Sequence, residues 1–424
     1  MSNLKKMYHT MHTDPFPETL TLTLGQQTIS YTKKTWDIDG TQMGLRYGEN
    51  PDQPAALYAI ASGALTLDGI SFQQGQHKLV SALTEDNLIQ FGKHPGKINL
   101  TDVDNGINIL QYLTAKPAAI ILKHNNPCGA AWSDDGLYPA LAKAFTADRI
   151  AAFGGTIVVN RPVDKTCAQC ITSSYFEVIA APDYDDQAVE LLKTKKNLRI
   201  IRIPALGHLE QVIGIPFLDI KSLLDGGLIL QSSFCNRILN PADFLAAEAT
   251  KDGTTYLARR PTTQEAEDLL FAWAVEAGVT SNSIIFARHG ATIAIGTGEQ
   301  DRVGCVELTI QKAYTKYADR LAFERHGLSL YELKEQGQTS ADLAQALSAI
   351  LQETKANKGG LPGSVLVSDG FFPFRDGVDL AIAQGVTAIA QPGGSIRDPE
   401  IIQAVNEAIP QVAMVFTGQR SFKH

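Results

Sequence analysis

Ala118-Ala119-Ile120-Ile121-Leu122 runs directly into Lys123-His124-Asn125-Asn126-Pro127-Cys128-Gly129, an unbroken apolar stretch that ends abruptly in polar and turn-forming residues. A run that short and without alternation is the pattern of a strand covered on both faces by helices. The pattern recurs at 155–159, 178–181, 283–287, 293–295, 365–367, 388–390 and 412–415. Between these runs, apolar residues spaced at i, i+3 and i+4 predict helices over 139–147, 187–195, 264–277, 341–353 and 399–408. Strands alternating with helices give an α/β layered fold. Near the start, Thr21–Leu24 and Thr28–Tyr31 alternate around Gly25-Gln26-Gln27 and predict an edge hairpin.

With 424 residues the chain exceeds what one hydrophobic core holds efficiently, so at least two packed units are expected. The segment 231–243, with Cys235-Asn236-Arg237 and Asn240-Pro241, reads as the connection, which divides the chain into units 1–232 and 233–424. The charged, helix-forming stretch 320–360 has the composition to pack back on the first unit. A formal net charge of −8 argues against a general attraction to nucleic acid or to an anionic membrane, so an anionic substrate needs a local basic site. No apolar run reaches the length of a membrane span, and the first residues lack the apolar core of a signal peptide, which makes the cytoplasm the expected location. Cys128, Cys167, Cys170, Cys235 and Cys305 are too sparse for a disulfide framework. Cys167-Ala-Gln-Cys170 has no second pair or His cluster at ligand spacing, so no metal is assigned.

Several segments carry chemistry. Lys123 and His124 emerge at the carboxyl end of a buried strand, where open α/β sheets bind ligands. They pair a proton acceptor near neutral pH with a cation, although the same residues serve equally as a solvated loop cap. Arg46-Tyr47 beside Asn50-Pro51 offers a guanidinium and a ring to a phosphorylated heterocycle. Phe153-Gly154-Gly155 gives close backbone approach. Gly296–Val303 resembles an anion-binding loop in outline but lacks dinucleotide and P-loop spacing. Ser368–Asp376 sets aromatics between carboxylates, and Gln391–Asp398 leads amide donors into a helix.

In their order along the chain, RYGENPDQ (46–53), LKHNNPCGAA (122–131), AFGGTIVVN (152–160), KKNLR (195–199), FAW (271–273), SNS (281–283), SDGFFPFRD (368–376), QPGGSIRD (391–398) and FTGQRSFKH (416–424) resemble the transformylase half of the AICAR transformylase/IMP cyclohydrolase family. The resemblance spans nearly the whole chain from about residue 40. It implies two cytidine-deaminase-like α/β/α units with mixed sheets, and a homodimer with active sites across the subunit interface. The implied reaction moves a formyl group from 10-formyltetrahydrofolate to the 5-amino group of AICAR. By matching position, His124 accepts the amine proton and Lys123 stabilises the oxyanion. Arg46, Tyr47, Gly154, Glu177, Asn282, Arg302, Phe371 and Arg420 hold the ribotide, while Val303, Asp376, Ser395 and Ile396 lie near the folate. Some members hold potassium (K+) near the residue matching Asp369, and none is assigned to this chain.

Only residues 1–45 precede the first of these motifs, so ring closure to IMP is not expected of the chain. It departs from the family pattern at Gly298-Glu299-Gln300-Asp301-Arg302, usually Gly-Gln-Met-Ser-Arg, and at Arg420-Ser421-Phe422, usually Arg-His-Phe. Glu177 stands where Asp also occurs, and Val275-Glu276-Ala277 lacks a customary lysine. The departures keep two alternatives in view: a ribotide-binding regulatory protein, and a transferase with another formyl donor. A zinc deaminase is disfavoured, because Ala131 stands where a second cysteine is needed after Pro127-Cys128 and no His-x-Glu precedes it.

Overall fold

The computed structural model describes residues 14–38, 40–67, 69–73, 77–92 and 94–424. The chain forms two compact units that interleave along the sequence. One takes Met1–Ile107 and Gly154–Cys235, and the other takes Asn108–Phe153 and Asn236–His424.

In the first unit, Thr19–Leu24 and Gln27–Lys34 form the expected hairpin, closed at Leu24 and Gln27 with Gly25 at φ 61°. Leu57–Leu67 and Ile70–Gln73 extend it into an antiparallel sheet. Its alternating residues put Ile29, Leu65 and Phe72 into a small core. A second layer consists of Gly155–Val159, Phe176–Ala181 and Arg199–Arg202 in parallel, edged antiparallel by Leu88–Gln90. The interior residues of these parallel strands are buried on both faces, which explains why they read as continuous apolar runs. Helices Lys165–Thr172 and Asp186–Leu192 belong to this unit, and Cys167 and Cys170 sit on the first of them. Burial pushes the Cys167 thiol up to about 12, so this cysteine is an inert packing residue.

The second unit carries a mixed sheet in the order Leu245–Ala246, Ala413–Phe416, Ala388–Gln391, Val365–Ser368, Ile284–Arg288, Ala291–Gly296, Asn126–Trp132, Ala118–Lys123. Val365–Ser368, Ala388–Gln391 and Ala413–Phe416 run parallel, and the other pairs are antiparallel. Asn126–Trp132, whose Asn-Pro-Cys-Gly reads as loop, is in fact the return strand of a hairpin with Ala118–Lys123. Its Gly129 lies so close to the helix Leu137–Ala147 that a Cβ would stand 2.0 Å from the Ala144 carbonyl oxygen.

Helix Thr263–Glu276 starts with a Thr262/Glu265 capping box and a bidentate Arg259–Glu265 pair at 2.9 and 3.0 Å. From Leu269 to Glu276 almost every position is buried, which identifies a central helix rather than a surface one. Helices Arg302–His326, Leu330–Gly337 and Ala341–Ala356 form their own cluster around Ala322, Leu333 and Ile350, so 320–360 packs within the second unit. Among the described residues, no helix is long and apolar enough to cross a membrane.

Gly129→Ala should lower unfolding free energy by about 1–3 kcal/mol, because the added methyl must displace helix backbone. Urea unfolding of wild type and variant measures this. Coincident curves would mean that strand and helix do not approach so closely.

Candidate functional site

The hairpin Ala118–Lys123/Asn126–Trp132 turns through two residues only, His124 at φ 55° and Asn125 at φ 62°. Two consecutive left-handed residues make the turn whose twist matches a two-residue hairpin, and Asn tolerates that conformation well. His124 is therefore exposed on a short, rigid tip. Beside it, Lys123 Nζ donates to the Phe153 carbonyl at 2.7 Å, which uses one of its three donors and leaves two.

Asn126, next along the turn, fixes this tip to a second segment. Its Oδ1 accepts from the Thr280 amide at 2.9 Å and from Thr297 Oγ1 at 3.1 Å. Thr280 leads into Ser281-Asn282-Ser283, whose first peptide bond is cis, and the Asn282 amide donates to the Glu299 carbonyl at 3.1 Å. Arg302, which sequence reading leaves in a glycine-rich turn, is the first residue of a long helix capped by Asp301, whose side chain accepts from the Gly304 amide at 2.6 Å. Arg302 Nη2 donates to Asn282 Oδ1 at 2.7 Å and Nη1 to the Ser283 carbonyl at 3.1 Å.

Asp369, wholly buried, pairs with Arg302 Nη1 and also accepts from Ser281 Oγ at 2.5 Å and the Ser283 amide at 3.2 Å. Arg302 neutralises Asp369 directly, so no cation is assigned there. Gly370 leaves the room this arrangement uses: a Cβ would stand 2.6 Å from Arg302 Nη2 and 2.8 Å from the Phe422 ring.

The C-terminal residues join the same network. The Ser421 amide donates to the Asp369 carbonyl at 3.0 Å, the Ser281 amide to the Lys423 carbonyl at 2.9 Å, and the Lys423 amide to Ser281 Oγ at 3.1 Å. Arg420 stacks over Phe371 at 5.4 Å and over Phe422 at 5.8 Å. Lys123, His124, Asn282, Arg302, Phe371 and Arg420 thus sit on segments tied to one another by hydrogen bonds, ion pairs or ring stacking.

Val303 follows Arg302 on the helix, and exposed Asp376 opens the helix Asp376–Ala383, accepting from the Gly377 amide at 2.7 Å. Ser395 and the exposed Ile396 lie in the turn before Asp398–Glu407. There Ser395 Oγ accepts from the Arg397 amide at 3.1 Å, and Asp398 accepts from the Gly394 and Ser395 amides at 2.7 and 3.1 Å.

In the first unit, Arg46 Nη2 donates to the Tyr47 hydroxyl at 2.7 Å, while its buried Nε has no acceptor. Glu177 accepts from Asn99 Nδ2 at 3.1 Å and lies 3.6 Å from the buried Arg199. The Gly154 amide donates to the Tyr175 carbonyl at 2.8 Å with φ at 75°. Arg46, Tyr47 and Glu177 form one polarised cluster around Arg199, and Gly154 joins it through Tyr175. Burial, with the Arg46 charge adding to it and Glu177 opposing, brings the Arg199 guanidinium down to about 10. Arg199 was legible only as part of the KKNLR run, which looks like a surface stretch.

Glu276 enters the sequence reading only as a departure from the family pattern and not as a site residue, although it falls four positions after Ala272 on the apolar face of its helix. It is fully buried, accepts from Ser283 Oγ, and has an Oε2 without a hydrogen-bond partner. Burial, reinforced by the nearby Asp369 charge, pushes its carboxyl well above the usual range.

The AICARFT/IMPCHase bienzyme family matches residues 5–312 of this chain. The bifunctional purine biosynthesis protein PurH of Magnetococcus marinus is 36% identical over 381 residues, covering 90% of this chain and 59% of that protein. The proteins of the same name from Caldicellulosiruptor saccharolyticus and Aquifex aeolicus are 34% and 35% identical, over 91% and 90% of this chain and 60% and 59% of their own lengths. The chain thus spans about 60% of the length of these relatives.

Above the unfolded carboxylate value near 4.5, the unfolded chain releases the Glu276 proton while the folded chain retains it, so stability falls as pH rises. Glu276→Gln should remove that fall, and its unfolding free energy should gain on wild type as pH rises above about 5. Urea titrations across this range test it. Parallel profiles for the two proteins would mean that Glu276 is ionised in the fold.

Proposed function

We propose, for a chain that belongs to the AICARFT/IMPCHase bienzyme family, that it transfers the formyl group of 10-formyltetrahydrofolate to the 5-amino group of the ribotide AICAR in purine biosynthesis. The observation that carries this reading is the hydrogen-bonded tie between the His124 tip and the segment that presents Asn282 and Arg302. It supports the reading by linking the segment of His124 and Lys123 to the segment of Asn282 and Arg302 within one unit.

The amine of AICAR is conjugated to a ring and a carboxamide and is a weak nucleophile. Attack on the formyl carbon forms a C–N bond and places negative charge on the formyl oxygen. The imidazole of His124 accepts the proton that the amine loses, and the two spare donors of Lys123 face the developing oxyanion. Collapse of the tetrahedral adduct breaks the bond to the folate N10, which takes up a proton and leaves as tetrahydrofolate.

Arg46 and Arg420 are assigned to the ribotide phosphate, Tyr47 and Phe371 to the heterocycle, and Gly154, Glu177, Asn282 and Arg302 to its polar edge and ribose. The free Nε of Arg46 and the exposed guanidinium of Arg420 are consistent with that use. Val303, Asp376, Ser395 and Ile396 are assigned to the folate, for which the exposed Ile396 offers an apolar surface. The same reading places both units in the cytidine-deaminase-like α/β/α class and makes the working form a cytoplasmic homodimer.

His124→Ala and Lys123→Ala should each lower kcat by about 10²–10⁴-fold with AICAR and 10-formyltetrahydrofolate, followed by the absorbance of released tetrahydrofolate. Unchanged turnover in both variants would remove these roles. Turnover with formate and ATP in place of the folate would reassign the donor.

A further inference from the structure

His289 and Gly290 form the turn between Ile284–Arg288 and Ala291–Gly296, at the far end of the strands whose other end holds Asn282 and Thr297. Six residues at about 3.3 Å each separate Asn282 from Arg288 by about 20 Å. At this distal end the second unit has a cavity of about 200 Å³, lined by Lys143, Arg288, His289, Lys316, Tyr317 and Arg320 among others. Its floor includes Gly359 and Gly360, at φ 61° and 81°. A Cβ on the first would meet the Tyr314 amide nitrogen at 2.7 Å, and one on the second the Tyr317 ring at 3.0 Å.

Among the described residues no carboxylate lines this cavity. Two stand nearby: Asp148 holds Lys316 Nζ at 2.9 Å, and Glu324 lies 3.8 Å from Arg320 Nε, beyond hydrogen-bond reach. One face of Arg288 is used by the Pro362 carbonyl. Arg320 lies over the Tyr317 ring at 4.8 Å, and its buried Nε has no acceptor. Lys143 is exposed and has no ion-pair partner among the described residues. A surplus of guanidinium and ammonium groups around one concavity is costly in self-repulsion, and it is unusual on a chain of net charge −8.

We infer that this cavity binds a small phosphate-bearing anion at a site separate from the His124 tip. Two guanidiniums and two ammoniums, one of them also paired with Asp148, line one cavity and match a compact anion, because forked and point-charge donors together surround a tetrahedral group. The small volume and the negative net charge of the chain favour a small molecule over a nucleic acid. The inference is independent of the formyl-transfer reading.

Calorimetric titration of the full chain with inorganic phosphate at fixed ionic strength tests it. Wild type should bind phosphate. Lys143→Gln/Arg320→Gln should weaken the distal event at least tenfold, and Arg420→Gln should leave that event intact. The single variant Lys143→Glu, at an exposed position where folding is not at stake, should also weaken it. Phosphate binding unchanged in both Lys143 variants, or no phosphate binding by wild type at millimolar concentration, would overturn the inference.

Discussion

The buried pairing of Arg302 with Asp369 is the constraint on which the rest of the second unit's site depends. A carboxylate with no solvent exposure persists as an ion only when a cation and hydrogen-bond donors surround it, and here Arg302, Ser281 and the Ser283 amide do so. Removing one partner of such a pair leaves the other uncompensated, at about 3–5 kcal/mol, so the two side chains fix each other's position. Because Arg302 also holds Asn282, and Asp369 also holds Ser421 through its carbonyl, one electrostatic contact sets four separate chain segments. Glu276, whose carboxyl is raised by burial and by the nearby Asp369 charge, joins the arrangement by accepting from Ser283 Oγ.

The first unit solves a similar problem differently. Arg199 is nearly as buried as Asp369, but its counter-charge Glu177 is partly exposed and lies 3.6 Å away. That leaves the carboxylate able to accept further hydrogen bonds, as it does from Asn99, and the buried guanidinium acts as a fixed positive background. The first unit is left with free donors on Arg46 Nε and Arg199 Nε, whereas in the second unit's network the unsatisfied atom is the Glu276 Oε2 acceptor.

The strands were largely legible, since buried runs such as 155–159 and 365–367 have no alternative use for so many consecutive apolar residues. The return strand Asn126–Trp132 was not, because its Asn, Pro and Gly are punctuation by local rules and the pairing is dictated instead by a turn at His124-Asn125. The interleaving of the units was equally hidden, because it comes from contacts far apart in sequence. Among candidate site residues, motif order singled out His124, Arg302 and Arg420, but no local pattern distinguishes a buried Glu276 from a solvated one until its helix is known to be central. The distal cations were invisible for a similar reason: Lys143, Arg288, Lys316 and Arg320 come from four unrelated stretches of chain.

Gly370 gives this packing an evolutionary dimension. The space its missing side chain leaves is filled from one side by a guanidinium and from the other by the Phe422 ring. A larger residue at 370 requires the Arg302 guanidinium to shift and the aromatic at 422 to become smaller or turn away. The two positions, far apart in the gene, are therefore expected to drift as a coupled pair, each setting which substitutions the other can accept.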